Sequence, residues 1–132
     1  MQSKSIKLLI LEVVAVLVLL AVISLLLLHA NPDTFKAIKP WQRAMGGDHV
    51  LHVGVGALLP LTLAVLTGAY RRSVRFQFAF FALFPLCYGI DEFVQSFTPH
   101  RESNLGDYGM SVLGWFIAVV FWLFLKALRR RV

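Results

Sequence analysis

Four long apolar stretches, separated by short polar segments, run along the chain. The hydrocarbon core of a bilayer is about 30 Å thick and a helix rises about 1.5 Å per residue, so about 20 mainly apolar residues cross it. Residues 8–30, 49–69, 74–97 and 105–128 each reach that length. The first contains LLILEVVAVLVLLAVISLLLL, with Glu12 as its one charge, close to Lys7. Pro60 and Pro85 fall inside the second and third stretches. A proline frees the carbonyl four residues before it, but within a bundle neighbouring helices can re-satisfy that group. Bends rather than breaks are expected. The pattern predicts an all-α fold, a four-helix transmembrane bundle forming one domain over residues 1–132.

The first stretch exceeds the apolar region of a secretory signal, about 7–15 residues, and His29-Ala30-Asn31-Pro32 offers no small-x-small cleavage site. It is read as a retained anchor. Residues 31–47 are read as an outer loop carrying Pro32, Pro40 and Trp41, with Trp41 as an interfacial anchor.

Composition narrows the class further. Of 132 residues, 58% are hydrophobic and 15% charged, against roughly 25% charged in soluble proteins. A soluble domain this short could not hide so much apolar surface. The single cysteine, Cys87, lies in an apolar run, which excludes an internal disulfide and reads as a small core or lipid-facing side chain. The net charge of +6 is not accompanied by any DNA- or RNA-binding motif, so no nucleic-acid partner is expected.

The positive charge is instead distributed by side. Lys4, Lys7, Arg71, Arg72, Arg75, Lys126, Arg129, Arg130 and Arg131 fall on one flank, and Lys36, Lys39, Arg43 and Arg101 on the other. Positive residues favour the cytoplasmic side, so both termini and the 70–75 turn are expected there. Asp33, Asp48, Asp91, Glu92, Glu102 and Asp107 fall on the outer flank, as do His29, His49, His52 and His100. Acidic residues contribute little to insertion, so their gathering calls for a functional explanation.

Three segments supply the candidate chemistry. Asp48-His49-Val50-Leu51-His52 opens the second helix. Asp48 and His52 are four apart, share a face and can hydrogen-bond, and Asp48 is placed to cap the helix after Gly46-Gly47. The third helix ends in Tyr88-Gly89-Ile90-Asp91-Glu92-Phe93-Val94-Gln95, where Tyr88, Asp91 and Gln95 form one stripe flanked by Glu92. Asp107, Ser111, Gly114 and Ala118 make a small and polar stripe on the fourth helix, suited to close backbone approach. Buried carboxylates are expensive in a membrane. Asp91, Glu92 and Asp107 are therefore expected to face the bundle interior, with Arg101 pairing one of them. In a purely structural reading Asp48 caps the second helix, Asp91 and Arg101 pair, and Asp107 caps the fourth. Asp48, His49, His52, Asp91, Glu92 and His100 include acceptable zinc ligands, but no complete metal signature forms, and no metal or cofactor is expected.

These residues resemble the VanZ-like family of membrane proteins. That family shows an Asp-Lys-x-x-His helix start, then Asp-Glu-x-x-Gln-x-Phe-x-Pro-Gly-Arg, then Asp-x-x-x-Asn-x-x-Gly. Asp48, His52, Asp91, Glu92, Gln95, Phe97, Pro99, Arg101, Asp107 and Gly114 match it, and the resemblance covers about residues 45–120. His49 stands in place of the Lys, His100 of the Gly and Ser111 of the Asn. The family is named for a protein linked to resistance against the glycopeptide teicoplanin, and the resemblance implies a bacterial inner-membrane, cell-envelope setting.

Three functions follow as expectations. The first is an outward-facing pocket for a lipid headgroup or cell-envelope intermediate, lined by Asp48, His52, Asp91, Glu92, Gln95, Arg101, Asp107 and Ser111. There Arg101 would hold an anion, and the carboxylates and Gln95 would bond hydroxyls or ammonium groups. The second is a membrane enzyme working by acid–base chemistry, with His52 as base, Asp91 or Glu92 as acid and Arg101 stabilising an anion; no nucleophile motif accompanies them. The third is a non-catalytic accessory subunit beside other membrane subunits. The charge distribution makes a test of orientation direct. A reporter fused after Val132 should be active only as a cytoplasmic fusion (green fluorescence without alkaline phosphatase activity), and the reverse would overturn the orientation.

Overall fold

The computed structural model describes residues 2–44, 46–97 and 104–129. Five α-helices follow one another: α1 (Gln2–Ala30), α2 (Pro32–Ala44), α3 (Asp48–Leu66), α4 (Val74–Gln95) and α5 (Leu105–Arg129), with a single 3-10 turn at Ala69–Arg71. No strand occurs among the described residues. α1, α3, α4 and α5 are each long and apolar enough to cross a membrane, the form of a multi-pass membrane protein. Their outward faces carry large apolar side chains such as Leu17, Phe78 and Leu86, all well exposed. In water such a surface would be unstable; in lipid it is solvated.

The second stretch stops at Leu66 rather than 69. Gly68 takes a left-handed φ of 64°, a conformation open to glycine, and turns the chain into the 3-10 segment. Ser73 then caps α4, its Oγ accepting the Phe76 N–H at 3.3 Å.

The expected loop at 31–47 is instead largely helical. Asn31 Oδ1 accepts the Asp33 N–H at 3.0 Å, and Pro32 sits at the first helical position, where its missing N–H matters least. Apolar Ile38 and Trp41 alternate with Lys36, Lys39 and Arg43 at helical spacing, giving α2 two unlike faces. Such a helix suits a membrane interface, and Trp41 is 74% exposed. Gly46 and Gly47, at φ 106° and 84°, end it and turn the chain into α3. Pro32 and the two glycines are thus the start and stop of a helix, and Pro40 lies inside it.

α3 and α5 form the tightest contact. Ser111, Gly114 and Ala118 are buried along α5, as the small stripe predicted, against Gly56 and Ala64 of α3. A Cβ on Gly114 would overlap the Val53 carbonyl oxygen and lie 2.9 Å from the Ala57 nitrogen; one on Gly56 would overlap the Ser111 carbonyl oxygen. Only a hydrogen at these two positions lets the backbones meet.

Both membrane prolines are accommodated by side chains from other helices. Pro60 leaves the Gly56 carbonyl without its helical donor, and Tyr88 Oη of α4 donates to it at 3.1 Å. Pro85 likewise frees the Phe81 carbonyl, which accepts Trp115 Nε1 of α5 at 2.8 Å. These bonds tie α3 to α4 and α4 to α5. Tyr88→Phe should therefore destabilise the protein by about 1 kcal/mol in detergent unfolding. In a Pro60→Ala background, where residue 60 regains an N–H for Gly56, the loss should shrink. Strict additivity of the two substitutions would show that the hydroxyl does not serve that carbonyl.

Candidate functional site

At the end of the bundle where α3 and α5 begin and α4 stops, a cavity of about 60 Å³ opens between four helices. Leu25 and Leu26 of α1 form an apolar wall, and Asp48, His52, Tyr88, Asp91, Glu92, Gln95, Tyr108 and Ser111 line the rest. Six of the expected ligand-binding residues thus share one cavity: Asp48, His52, Asp91, Glu92, Gln95 and Ser111. Asp107 stands beside them, reached through His52. Arg101, together with Pro99, His100 and Glu102, lies outside the described residues.

His52 is the centre of the arrangement. Its Nδ1 shares a hydrogen bond with Ser111 Oγ at 3.2 Å, across the α3–α5 contact. Its Nε2 lies 3.9 Å from both Asp48 Oδ1 and Asp107 Oδ2. That spacing exceeds hydrogen-bond length, so the expected Asp48–His52 hydrogen bond is replaced by electrostatic proximity alone. Two carboxylates on the Nε2 side favour the proton there, which leaves Nδ1 to accept from the serine hydroxyl. The orienting partner of the imidazole is therefore Ser111. His49 reaches the other side of Asp107, with Nδ1 3.2 Å from Oδ1, but its side chain is more than half exposed.

The capping roles are also reassigned. Asp48 is the first residue of α3, the cap position belongs to Gly47, and among the described residues no side chain caps the helix. Asp48 is instead held by Gln42 of α2, whose Nε2 donates to Oδ1 at 2.5 Å. Gln42 is buried, and its Oε1 has no hydrogen-bond partner among the described residues. At α5 the cap is Asn104, whose Oδ1 accepts the Gly106 N–H at 2.9 Å. This leaves Asp107, one turn in, to face the histidines.

Asp91 and Glu92 diverge because they are neighbours on a helix, about 100° apart. Glu92 is buried at 8% exposure, and its Oε1 accepts the Asn104 N–H at 2.5 Å. It clamps the end of α4 to the start of α5. Asp91, expected to face the interior, lies on the open side of the cavity and is exposed. Gln95 Nε2 donates to its Oδ2 at 2.6 Å.

Asp48, His52 and Asp107 each offer one donor atom, and these atoms lie within 4.8 Å of one another. Oxygen and imidazole donors of this kind are the set that could hold a divalent cation. Three residues missed by the sequence reading matter here: Gln42, Asn104 and Tyr108. Asn104 could have been found from the Asn-x-x-Asp start of α5; nothing local marks Gln42, which is six residues from the aspartate it holds. No family model, curated protein or solved structure matches the chain.

Ser111→Ala removes the hydrogen bond that fixes the His52 ring. It should lower stability by about 1 kcal/mol and raise the rate of His52 acylation by diethylpyrocarbonate, read by mass spectrometry. Unchanged acylation would show that the ring is held by other contacts.

Proposed function

We propose that the chain is a VanZ-like integral membrane protein of the bacterial inner membrane. Its outward-facing polar pocket binds the headgroup of a lipid or cell-envelope intermediate. The observation that carries this reading is the shared cavity. Acceptors from α3, α4 and α5 converge on a space whose remaining wall is apolar α1. A molecule with a donor-rich head and a hydrocarbon tail satisfies both surfaces at once. Asp48, Asp91, Glu92 and Asp107 accept hydrogen bonds and repel bare anions, so sugar hydroxyls or an ammonium group suit the cavity, and Arg101 would take any accompanying phosphate.

Binding also accounts for the cost of the site. Carboxylates at the edge of the hydrocarbon are unfavourable, and ligand donors would lower that penalty. Asp91 is the most informative residue, since it lines the cavity but is exposed, and among the described residues its one side-chain partner is Gln95. Protein purified in mild detergent should retain a headgroup-bearing lipid in native mass spectrometry. Phosphatidylethanolamine and a lipid-linked disaccharide serve as added probes. Asp91→Asn should reduce retention of the favoured probe about tenfold, the loss of one hydrogen bond to a charged group, without lowering thermal stability. Equal retention by wild type and Asp91→Asn would remove the pocket from consideration. Co-purification with a fixed protein partner and no lipid would favour the accessory-subunit reading instead.

A further inference from the structure

At the opposite end of the bundle lies a larger cavity of about 300 Å³ that the outer pocket does not explain. This volume stands at the lower limit of small-molecule sites, about 300–1,000 Å³. Leu11, Val14, Ala15 and Val18 of α1 form one wall, at the spacings of a single helix face, and α3 supplies Leu58, Leu61 and Val65 opposite. Along α5 the lining runs from Phe121 to Arg129, about 12 Å of helix. The interior is hydrocarbon-like.

Its rim is not. Lys126 and Arg129 line it, and the Tyr70 ring beside them lies under two guanidinium groups, Arg71 at 5.1 Å and Arg129 at 5.7 Å. Lys126 Nζ donates to Gln77 Oε1 at 2.9 Å. That oxygen also accepts Trp122 Nε1 at 3.1 Å, while Gln77 Nε2 donates to the Arg72 carbonyl at 2.8 Å. Lys126 is thus anchored by a neutral amide, which positions its ammonium without neutralising it. Among the described residues no carboxylate lies within 4 Å of Lys126, Arg71 or Arg129. Glu12, the one acid at this end, points about 100° around α1 from Leu11 and is not part of the lining.

We infer that this cavity is a binding site for an anionic phospholipid, one acyl chain lying between α1, α3 and α5 and the headgroup phosphate resting on Lys126 and Arg129. Charge complementarity selects the lipid class: uncompensated cations at the mouth of a dry apolar groove match a head of net negative charge joined to a tail. A zwitterionic lipid fills the groove but carries an ammonium into the cationic rim. The site is separate from the outer pocket and stands whether or not that pocket binds anything.

The test uses the full chain, delipidated in mild detergent and incubated with equal amounts of dioleoyl phosphatidylglycerol and dioleoyl phosphatidylcholine, with retention read by native mass spectrometry. Each Lys or Arg near an anionic head contributes about 1 kcal/mol, or about fivefold, so the wild type should prefer phosphatidylglycerol by at least about fivefold. Lys126→Gln with Arg129→Gln should bring the ratio to about one while total lipid persists. Leu58→Trp, which fills the groove from a partly exposed position, should lose both lipids. Circular dichroism of each variant establishes that it is folded. Equal retention of the two lipids by wild type, an unchanged preference in the double variant, or full retention in Leu58→Trp would each overturn the site.

Discussion

A carbonyl without a donor has no water to turn to inside a bilayer, and this constraint organises the bundle. Two of the four long helices contain a proline, and each proline exposes one carbonyl. Tyr88 covers the Gly56 carbonyl and Trp115 covers the Phe81 carbonyl, so each proline gap is closed by an interhelical bond. Gly56, whose carbonyl Tyr88 covers, also sets the α3–α5 distance together with Gly114, because both admit close backbone contact. Ser111 and Asp107 reach His52 only because these two helices run so close.

The two ends of the bundle have opposite chemistry. One end gathers acids and imidazoles around a small polar space between α1, α3, α4 and α5. The other rims a larger apolar space with Lys126 and Arg129, and Arg71 stacks on Tyr70 beside them. In the first, the central polar side chains are tied across elements: Glu92 to Asn104, Asp48 to Gln42, His52 to Ser111. In the second, the anchoring acceptor is neutral Gln77, and the charge stays available.

The spans were legible because lipid solvation requires unbroken apolar length, a property a single sequence displays directly. The packing role of Ser111, Gly114 and Ala118 could also be anticipated from helix periodicity, and the need for partners at the proline-freed carbonyls from the lack of water in lipid. The convergence of Asp48, His52, Asp91, Glu92, Gln95 and Ser111 was visible as an end-of-helix pattern. What failed were judgements that depend on direction rather than register. α2 reads as a loop because of Pro32, Pro40 and Gly46-Gly47, yet Pro32 and the glycines start and stop a helix and Pro40 lies within it. Asp48 was assigned to capping although its side chain turns toward Gln42, a partner that no local spacing reveals. Asp91 and Glu92 could not be told apart, since burial of one and exposure of the other depends on the roll of α4 about its axis.

The proline-freed carbonyls carry a temporal implication. The donor for Gly56 lies 32 residues later in the chain and the donor for Phe81 lies 34 later. At about 5–20 residues per second, a ribosome takes about 2–7 s to make each such interval. Throughout that wait α3, and then α4, holds a bare backbone oxygen. A newly made span in that state is better kept in the hydrated interior of the insertion machinery than released singly into lipid. The chain is thereby suited to leave its insertion site as a group of helices.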